Sequence, residues 1–215
     1  MAKKTLRLDI ISDVVCPWCI VGFKRLESVF SDFPDVEFDV HWHPFELNPQ
    51  MAAEGENLKE HIKGKYGTTD EESAVSREKL RAFGAEYDFA FNYADDMRMY
   101  NTFDAHRLLY WAQTQGKQHE LKLALFEAFF SRRENIGDRS VLVDVAVSVG
   151  LNRDQAKAVL EEDQYHNEVR GEEQFWQKNG IQGVPAVVFE KKYLVTGAHS
   201  PEGYKEVVGK LVGRL

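Results

Sequence analysis

The chain has only two cysteines, and they stand three positions apart in "SDVVCPWCIVGFKRLESVF", with Pro17 and Trp18 between Cys16 and Cys19. The flanking residues decide what this spacing means. Before it, "TLRLDII" (5–11) alternates, with Leu6, Leu8 and Ile10 on one face, and predicts a strand ending just short of the pair. After it, Cys19, Phe23, Leu26 and Phe30 recur at intervals of four, three and four, one stripe of an amphipathic helix. Pro17 then takes the first helical position, where a missing N–H costs nothing. A strand, a dithiol and a helix in immediate succession read as a redox motif at a βα junction.

Two cysteines in 215 residues are far too few for a disulfide scaffold. A zinc site would have to recruit His41 and His43 beside the helix start, and we expect no metal. The formal net charge is -8, and no basic block offers the footprint that a phosphate backbone requires, so nucleic acid is not expected as a partner. "MAKKTLRLDIISD" has no apolar h-region or cleavage signal, and nowhere do 18 uncharged apolar residues run together. These features predict a cytoplasmic protein off the membrane, where thiols are kept reduced and a disulfide is transient and catalytic.

Further along, "VEFDVHW" (36–42) alternates strictly and predicts a half-exposed edge strand. From about 55 to 178 nearly every periodic segment is helical. Thr102 to Gln115 carries Ala105, Leu108, Leu109 and Ala112 as its stripe, and "LKLALFEAFF" is apolar nearly all round, as in a helix buried within a bundle. Asp138 and Asn152 are candidate N-caps, and Gly150 closes the helix between them. Strand character returns in "VPAVVF" (184–189) and "YLVTG" (193–197), and a last helix opens at Ser200-Pro201. The order predicts an α/β fold made of a βαβ unit (1–50), a large all-helical insertion (51–165) and a ββα unit (166–215).

At the helix start, Cys16 is expected as N-cap, its sulfur facing free backbone N–H groups and the positive end of the helix dipole. Such placement lowers a cysteine pKa from about 8.5 towards roughly 3.5 to 7.5. We therefore expect Cys16 at the exposed end as attacking thiolate, and Cys19 on the buried stripe as the thiol that resolves a mixed disulfide.

With "DVVCPWC", "FELNP" (45–49), "YNTFDAHRLLYWA", "GVPAVVF" and "GAHSPEGY" in this order, nearly the whole chain resembles the DsbA-like branch of the thioredoxin superfamily, and most closely its FrnE-type dithiol-disulfide isomerases. The resemblance implies a thioredoxin fold with a helical insertion, acting on thiol and disulfide substrates, protein or small molecule. It implies that Pro185 opens the late strand in the cis form against the dithiol, with Val184 before it tuning redox behaviour and offering its backbone to an extended substrate. It also places Asn101 and His106, on an insertion helix, towards the substrate. Ile10 stands where relatives often bury an acid, so a proton relay would fall to Asp13, which is also a candidate substrate contact, or to water. Trp18 replaces the histidine often found before the second cysteine, removing one charge that would stabilise the thiolate.

The cofactor expected is none beyond the Cys16–Cys19 disulfide itself, with glutathione as a candidate co-substrate. Two further readings stand beside the oxidoreductase. One is a glutathione-dependent isomerase or transferase of the 2-hydroxychromene-2-carboxylate isomerase or kappa type, in which serine stands where Cys16 does. The other is a chaperone-like module that holds unfolded chains in an apolar groove, for which the run "FAFNYADDMRMY" (89–100) offers candidate walls. A homodimer through the insertion is an arrangement the sequence allows.

Overall fold

The computed structural model describes residues 3–214. Its centre is β1 (Lys4–Ser12), flanked by β2 (Val36–Pro44) in parallel and β5 (Ala186–Phe189) in antiparallel, with β6 (Tyr193–Thr196) pairing antiparallel to β5. The sheet order is β2-β1-β5-β6, so β1 has a neighbour on each side and β2 is the edge that its alternation predicts. The register sets Ser12 opposite Pro44 and Ile11 opposite Ala186, which brings the end of β1 beside the start of β5.

One face of β1 carries Leu6, Leu8 and Ile10, which share a core with α1 (Pro17–Ser28) and α9 (Pro201–Val212). The other face is also covered: Ile11 packs with Ala186, Ile181 and Trp176, the last from α8 (His166–Lys178). Burial on both faces is why a central strand is apolar beyond its alternating positions. With helices on both faces of this mixed sheet and a crossover between β1 and β2, the chain has the thioredoxin fold.

Between β2 and α8 the regular structure is mainly helical: α2 (Leu58–Tyr66), α3 (Asp70–Glu86), α4 (Phe103–Thr114), α5 (Gln118–Phe126), α6 (Arg139–Ser148) and α7 (Arg153–Glu161). Two-residue strands β3 (Glu56–Asn57) and β4 (Arg98–Met99) pair within this insertion. Its helix starts are chemically marked. Asp138 and Asn152 accept from Ser140 and Gln155 backbone N–H groups as their sequence positions predict, and Thr69 with Glu72 forms a capping box.

The structure departs from the sequence reading at two places. The last part of the block read as helical to 178 begins its helix only at His166, because Asp163 and Tyr165 take left-handed backbone with φ of 53° and 60°. The apolar run after Lys117 is not one helix: α5 opens into a π turn over Glu127–Ser131, whose Phe129 and Phe130 are buried. Among the described residues, no helix is long and apolar enough to cross a membrane.

Candidate active site

The first turn of α1 is built as its sequence predicts. Cys16 is the N-cap with extended backbone, Pro17 follows at N1, and no side chain caps the helix. The Cys19 N–H donates to the Cys16 carbonyl at 3.1 Å, and the Cys16 N–H donates to the Asp13 carbonyl at 3.1 Å, so the loop between β1 and α1 is closed by its own backbone. Both cysteines are free thiols.

Opposite them stands the loop before β5. The Val184–Pro185 peptide is cis, and the Cys16 sulfur lies 3.8 Å from the Val184 carbonyl oxygen. Gly22 lets α1 come this close: a Cβ there would meet Ala198 at 3.3 Å and the Pro185 ring at 3.4 Å.

Cys16 does not project at an exposed end, as the sequence reading expects. It is 4% exposed and Cys19 is 1% exposed, because α2 and α3 of the insertion cover the helix start. The two sulfurs still differ in what they border. A cavity of about 380 Å³ is lined by Cys16, Pro17, Trp18 and Val184 from the thioredoxin core, and Cys19 takes no part in its wall. The "FELNP" segment contributes Leu47 and Asn48, and the insertion contributes Tyr66, Arg77, Tyr93, Met99, Phe129 and Phe130. Of the aromatic run at 89–100, Tyr93 and Met99 face this cavity, whereas Phe89 and Phe91 pack in the core against Phe130.

Polar groups are set into these largely apolar walls. Arg77 packs over the Tyr93 ring at 5.7 Å and pairs with no carboxylate among the described residues. The Thr68 hydroxyl, on the same wall, is buried without a hydrogen-bond partner. Trp18, 39% exposed, stands at the mouth with its ring edge-on to Phe83.

Behind the dithiol, away from the cavity, lies a buried polar layer. Asp13 is fully buried; its Oδ2 accepts from the Leu47 N–H at 2.7 Å and its Oδ1 lies 3.4 Å from His106 Nε2. Burial pushes the Asp13 carboxyl up, but His106 and the Leu47 N–H bring it below the usual carboxylate range. Lys122 of α5 points into the same layer and donates to the Ser12 carbonyl at 3.4 Å.

The electrostatics of the pair also differ from the expectation for Cys16. A hydrogen bond to the Cys19 sulfur, then burial, holds the Cys16 thiol well above its usual range. Burial pushes Cys19 up too, but the hydrogen bond from Cys16, then Lys122, the backbone and Ser12, bring it below. The two sulfurs are therefore pushed in opposite directions, Cys16 towards the thiol and Cys19 towards the thiolate. The charge of Lys122 is one reason that Cys19 is the sulfur pushed down.

Three residues expected to touch substrate do not border the cavity. Asn101 caps α4, accepting from the Phe103 N–H at 2.9 Å and donating to the Met51 carbonyl at 3.4 Å. Asp13 and His106 are enclosed behind the sulfurs, with His106 at 3.1 Å from the Phe45 carbonyl. Arg77, Thr68, Ser12 and Lys122 were not singled out by the sequence, although Lys122 had a visible signal as the one charge near the start of an all-round apolar run.

Comparison with known proteins places this geometry in context. A family model described as a DSBA-like thioredoxin domain matches residues 7–209. The chain is 31% identical over 163 residues to the uncharacterized protein YwbO of Bacillus subtilis, which covers 76% of each protein. Among solved structures, a probable DsbA oxidoreductase of Streptomyces coelicolor superposes with a TM-score of 0.91 at 32% identity, covering 98% of this chain and 91% of that one. The cytosolic disulfide reductase DsbM of Pseudomonas aeruginosa, with GSH, superposes with a TM-score of 0.65 at 14% identity, covering 96% and 99%, a likeness of fold.

Proposed function

The chain belongs to the DSBA-like thioredoxin domain family, and from this premise we propose that it is a thiol-disulfide oxidoreductase that works through Cys16 and Cys19 on disulfides entering the cavity beside them. The observation that carries the reading is the unequal placement of the two sulfurs: Cys16 borders the cavity and Cys19 does not.

The Cys16 thiol passes its proton to the Cys19 thiolate, and the resulting Cys16 thiolate attacks one sulfur of the substrate disulfide. That S–S bond breaks, a Cys16–substrate disulfide forms, and the first product leaves as a thiolate. Cys19 then gives up its proton to the leaving side and attacks the Cys16 sulfur, releasing the second product thiol and closing the Cys16–Cys19 disulfide. Two electrons have passed from the dithiol to the substrate; the single proton of the monoanionic pair goes to the second product, and the first leaves as a thiolate. Cellular thiols such as glutathione return the pair to the reduced state, and the same steps reversed oxidise a dithiol.

The Val184 carbonyl beside Cys16 supports a role for the loop before β5 in aligning the incoming disulfide. A volume of about 380 Å³ lies in the range of small-molecule pockets and supports low-molecular-weight disulfides as substrates alongside extended protein segments. We place the reaction in the cytosol, where a chain without structural disulfides and with one buried dithiol is kept reduced.

The same apolar, enclosed cavity favours one second reading, a glutathione-dependent isomerase or transferase. Turnover separates the two: reduction of oxidised glutathione or of a protein disulfide that needs both cysteines supports the oxidoreductase. Isomerase or transferase activity that persists in Cys19→Ser overturns it.

A further inference from the structure

Lys122 has no carboxylate within ion-pair distance among the described residues, although it is only 1% exposed. Its ammonium is held between the rings of Trp42 and Phe126, at 5.4 and 5.1 Å, and donates to the Ser12 carbonyl at 3.4 Å. A buried ammonium without a counter-charge is costly. The nearest acid, Asp13, accepts from the Leu47 N–H through one oxygen; its other oxygen lies 3.4 Å from His106 without a hydrogen bond, and neither is within ion-pair distance of the lysine.

The remaining groups around Lys122 are few. From the turn before α1 it faces Asp13, and from α1 the sulfurs of Cys19 and Cys16; across a small hollow that it lines, it faces His43 of β2, His106 of α4 and Glu172 of α8. His43 is occupied at 2.8 Å by Asp9 and by a short bond to Glu172, so Glu172 is also engaged. The anionic groups that act on the lysine are thus Cys19, Asp13 and Cys16, with Cys19 the foremost. Ser12 joins them: its carbonyl accepts from Lys122, while its buried hydroxyl, with no other partner, faces Cys19.

We propose that Lys122, supplied by the inserted helical block and not by the thioredoxin core, is the positioning residue that holds the reduced dithiol as a monoanion, its ammonium serving as the counter-charge of the sulfur pair. The inference rests on the dithiol chemistry proposed above. Lys122 forms and breaks no covalent bond: the anion moves between Cys19 and Cys16 as the proton passes between them, and the lysine faces both. When the disulfide closes, the anion is gone and Lys122 keeps Asp13 alone, so the reduced state binds the lysine proton more tightly than the oxidised one.

The arrangement also explains why a lysine is tolerated there. Burial pulls Lys122 down to about 8, with Cys19, Asp13 and Cys16 opposing the fall. The insertion, through α5, is thereby tied to the redox state of a site on a different part of the fold, and the same helix continues into the π turn whose Phe129 and Phe130 wall the cavity.

The test reads the coupling from both ends. In the full-length reduced protein, the ultraviolet absorbance of the thiolate is followed against pH for the natural protein and for Lys122→Met, with circular dichroism as a check on folding. We expect about tenfold less thiolate at a given pH in the variant, the scale of an opposite charge removed from a buried site. It also shifts the dithiol–disulfide equilibrium about tenfold towards the disulfide, about 30 mV for a two-electron couple. An unchanged thiolate ionisation in the folded variant overturns the proposal.

The second readout needs no change at Lys122. The side-chain amine of the lysine that titrates abnormally low is followed by NMR in the reduced natural protein and in the Cys16→Ser, Cys19→Ser double variant. Coupling is reciprocal, so loss of the sulfurs is expected to weaken proton binding by Lys122 about tenfold. Equal titration in both proteins overturns the proposal, even where Lys122→Met does not fold. Both ionisations are read without turnover or disulfide formation, so failure of the oxidoreductase reading is seen separately.

Discussion

The Cys16 sulfur lies 3.8 Å from the carbonyl oxygen of Val184, a residue 168 positions away in the chain. The first and last thirds of the molecule meet at this point because Ser12 and Ala186 end neighbouring strands of one sheet. A disulfide that reaches Cys16 along the cavity therefore meets the Val184 backbone at the moment of attack.

The unequal placement of the sulfurs predicts unequal trapping. With Cys19 replaced by serine, Cys16 still attacks but nothing resolves the intermediate, so mixed disulfides with small thiols or proteins accumulate. With Cys16 replaced, the buried Cys19 borders no cavity and traps essentially none. Mass spectrometry after exposure to oxidised glutathione checks this, and equal adducts on both variants would contradict the assigned roles.

Arg77 faces the cavity and pairs with no carboxylate among the described residues, which predicts a preference for acidic disulfides. Arg77→Ala is expected to raise KM for oxidised glutathione about tenfold, with kcat nearly unchanged, since a hydrogen bond to a charged group contributes about 1.5–3 kcal/mol. KM for an uncharged disulfide such as hydroxyethyl disulfide should stay within about twofold. Steady-state kinetics on the two substrates decide it: equal losses would mean that Arg77 only supports the wall.

Stability should follow pH through Asp9 and His43, 2.8 Å apart beneath the sheet. Burial pushes Asp9 up, but His43 and Arg7 hold it far below the usual carboxylate range. Burial pushes His43 down, but Asp9 and Glu172 raise it above its ordinary value. The depressed Asp9 contributes stability that is complete above its unfolded value of about 4 and is lost as pH falls through the folded one. The raised His43 contributes stability that is complete below about 6.5 and is lost as pH rises through its folded value. The contribution is thus largest between about pH 4 and 6.5. Removing one partner, as in Asp9→Asn, should cost about 3 kcal/mol at pH 6 and less at pH 9, measured by urea unfolding.

Much of this was legible from the chain. Alternation at 5–11 and 36–42, the stripe from Cys19 and the caps at Asp138, Asn152 and Ser200 located their elements, because each is a local rule. The motif residues around Cys16 and Val184 came together as the resemblance implied. What escaped was set by tertiary packing. Cys16 is buried because α2 and α3 fold back over it, and Asp13 and His106 turned inward to each other, which no spacing along the chain records. Lys122 becomes meaningful only when α5 is laid behind α1, where a residue 103 positions beyond Cys19 meets its sulfur.

The central claim is that Cys16 and Cys19 cycle between dithiol and disulfide. The most direct measurement equilibrates the protein with graded ratios of reduced and oxidised glutathione, following the disulfide by thiol alkylation and by the fluorescence of Trp18, which borders the same cavity. The account predicts one two-electron transition, at a potential between about -270 and -120 mV. Two thiols that remain open to alkylation at every ratio, with no Cys16–Cys19 disulfide formed, would contradict it.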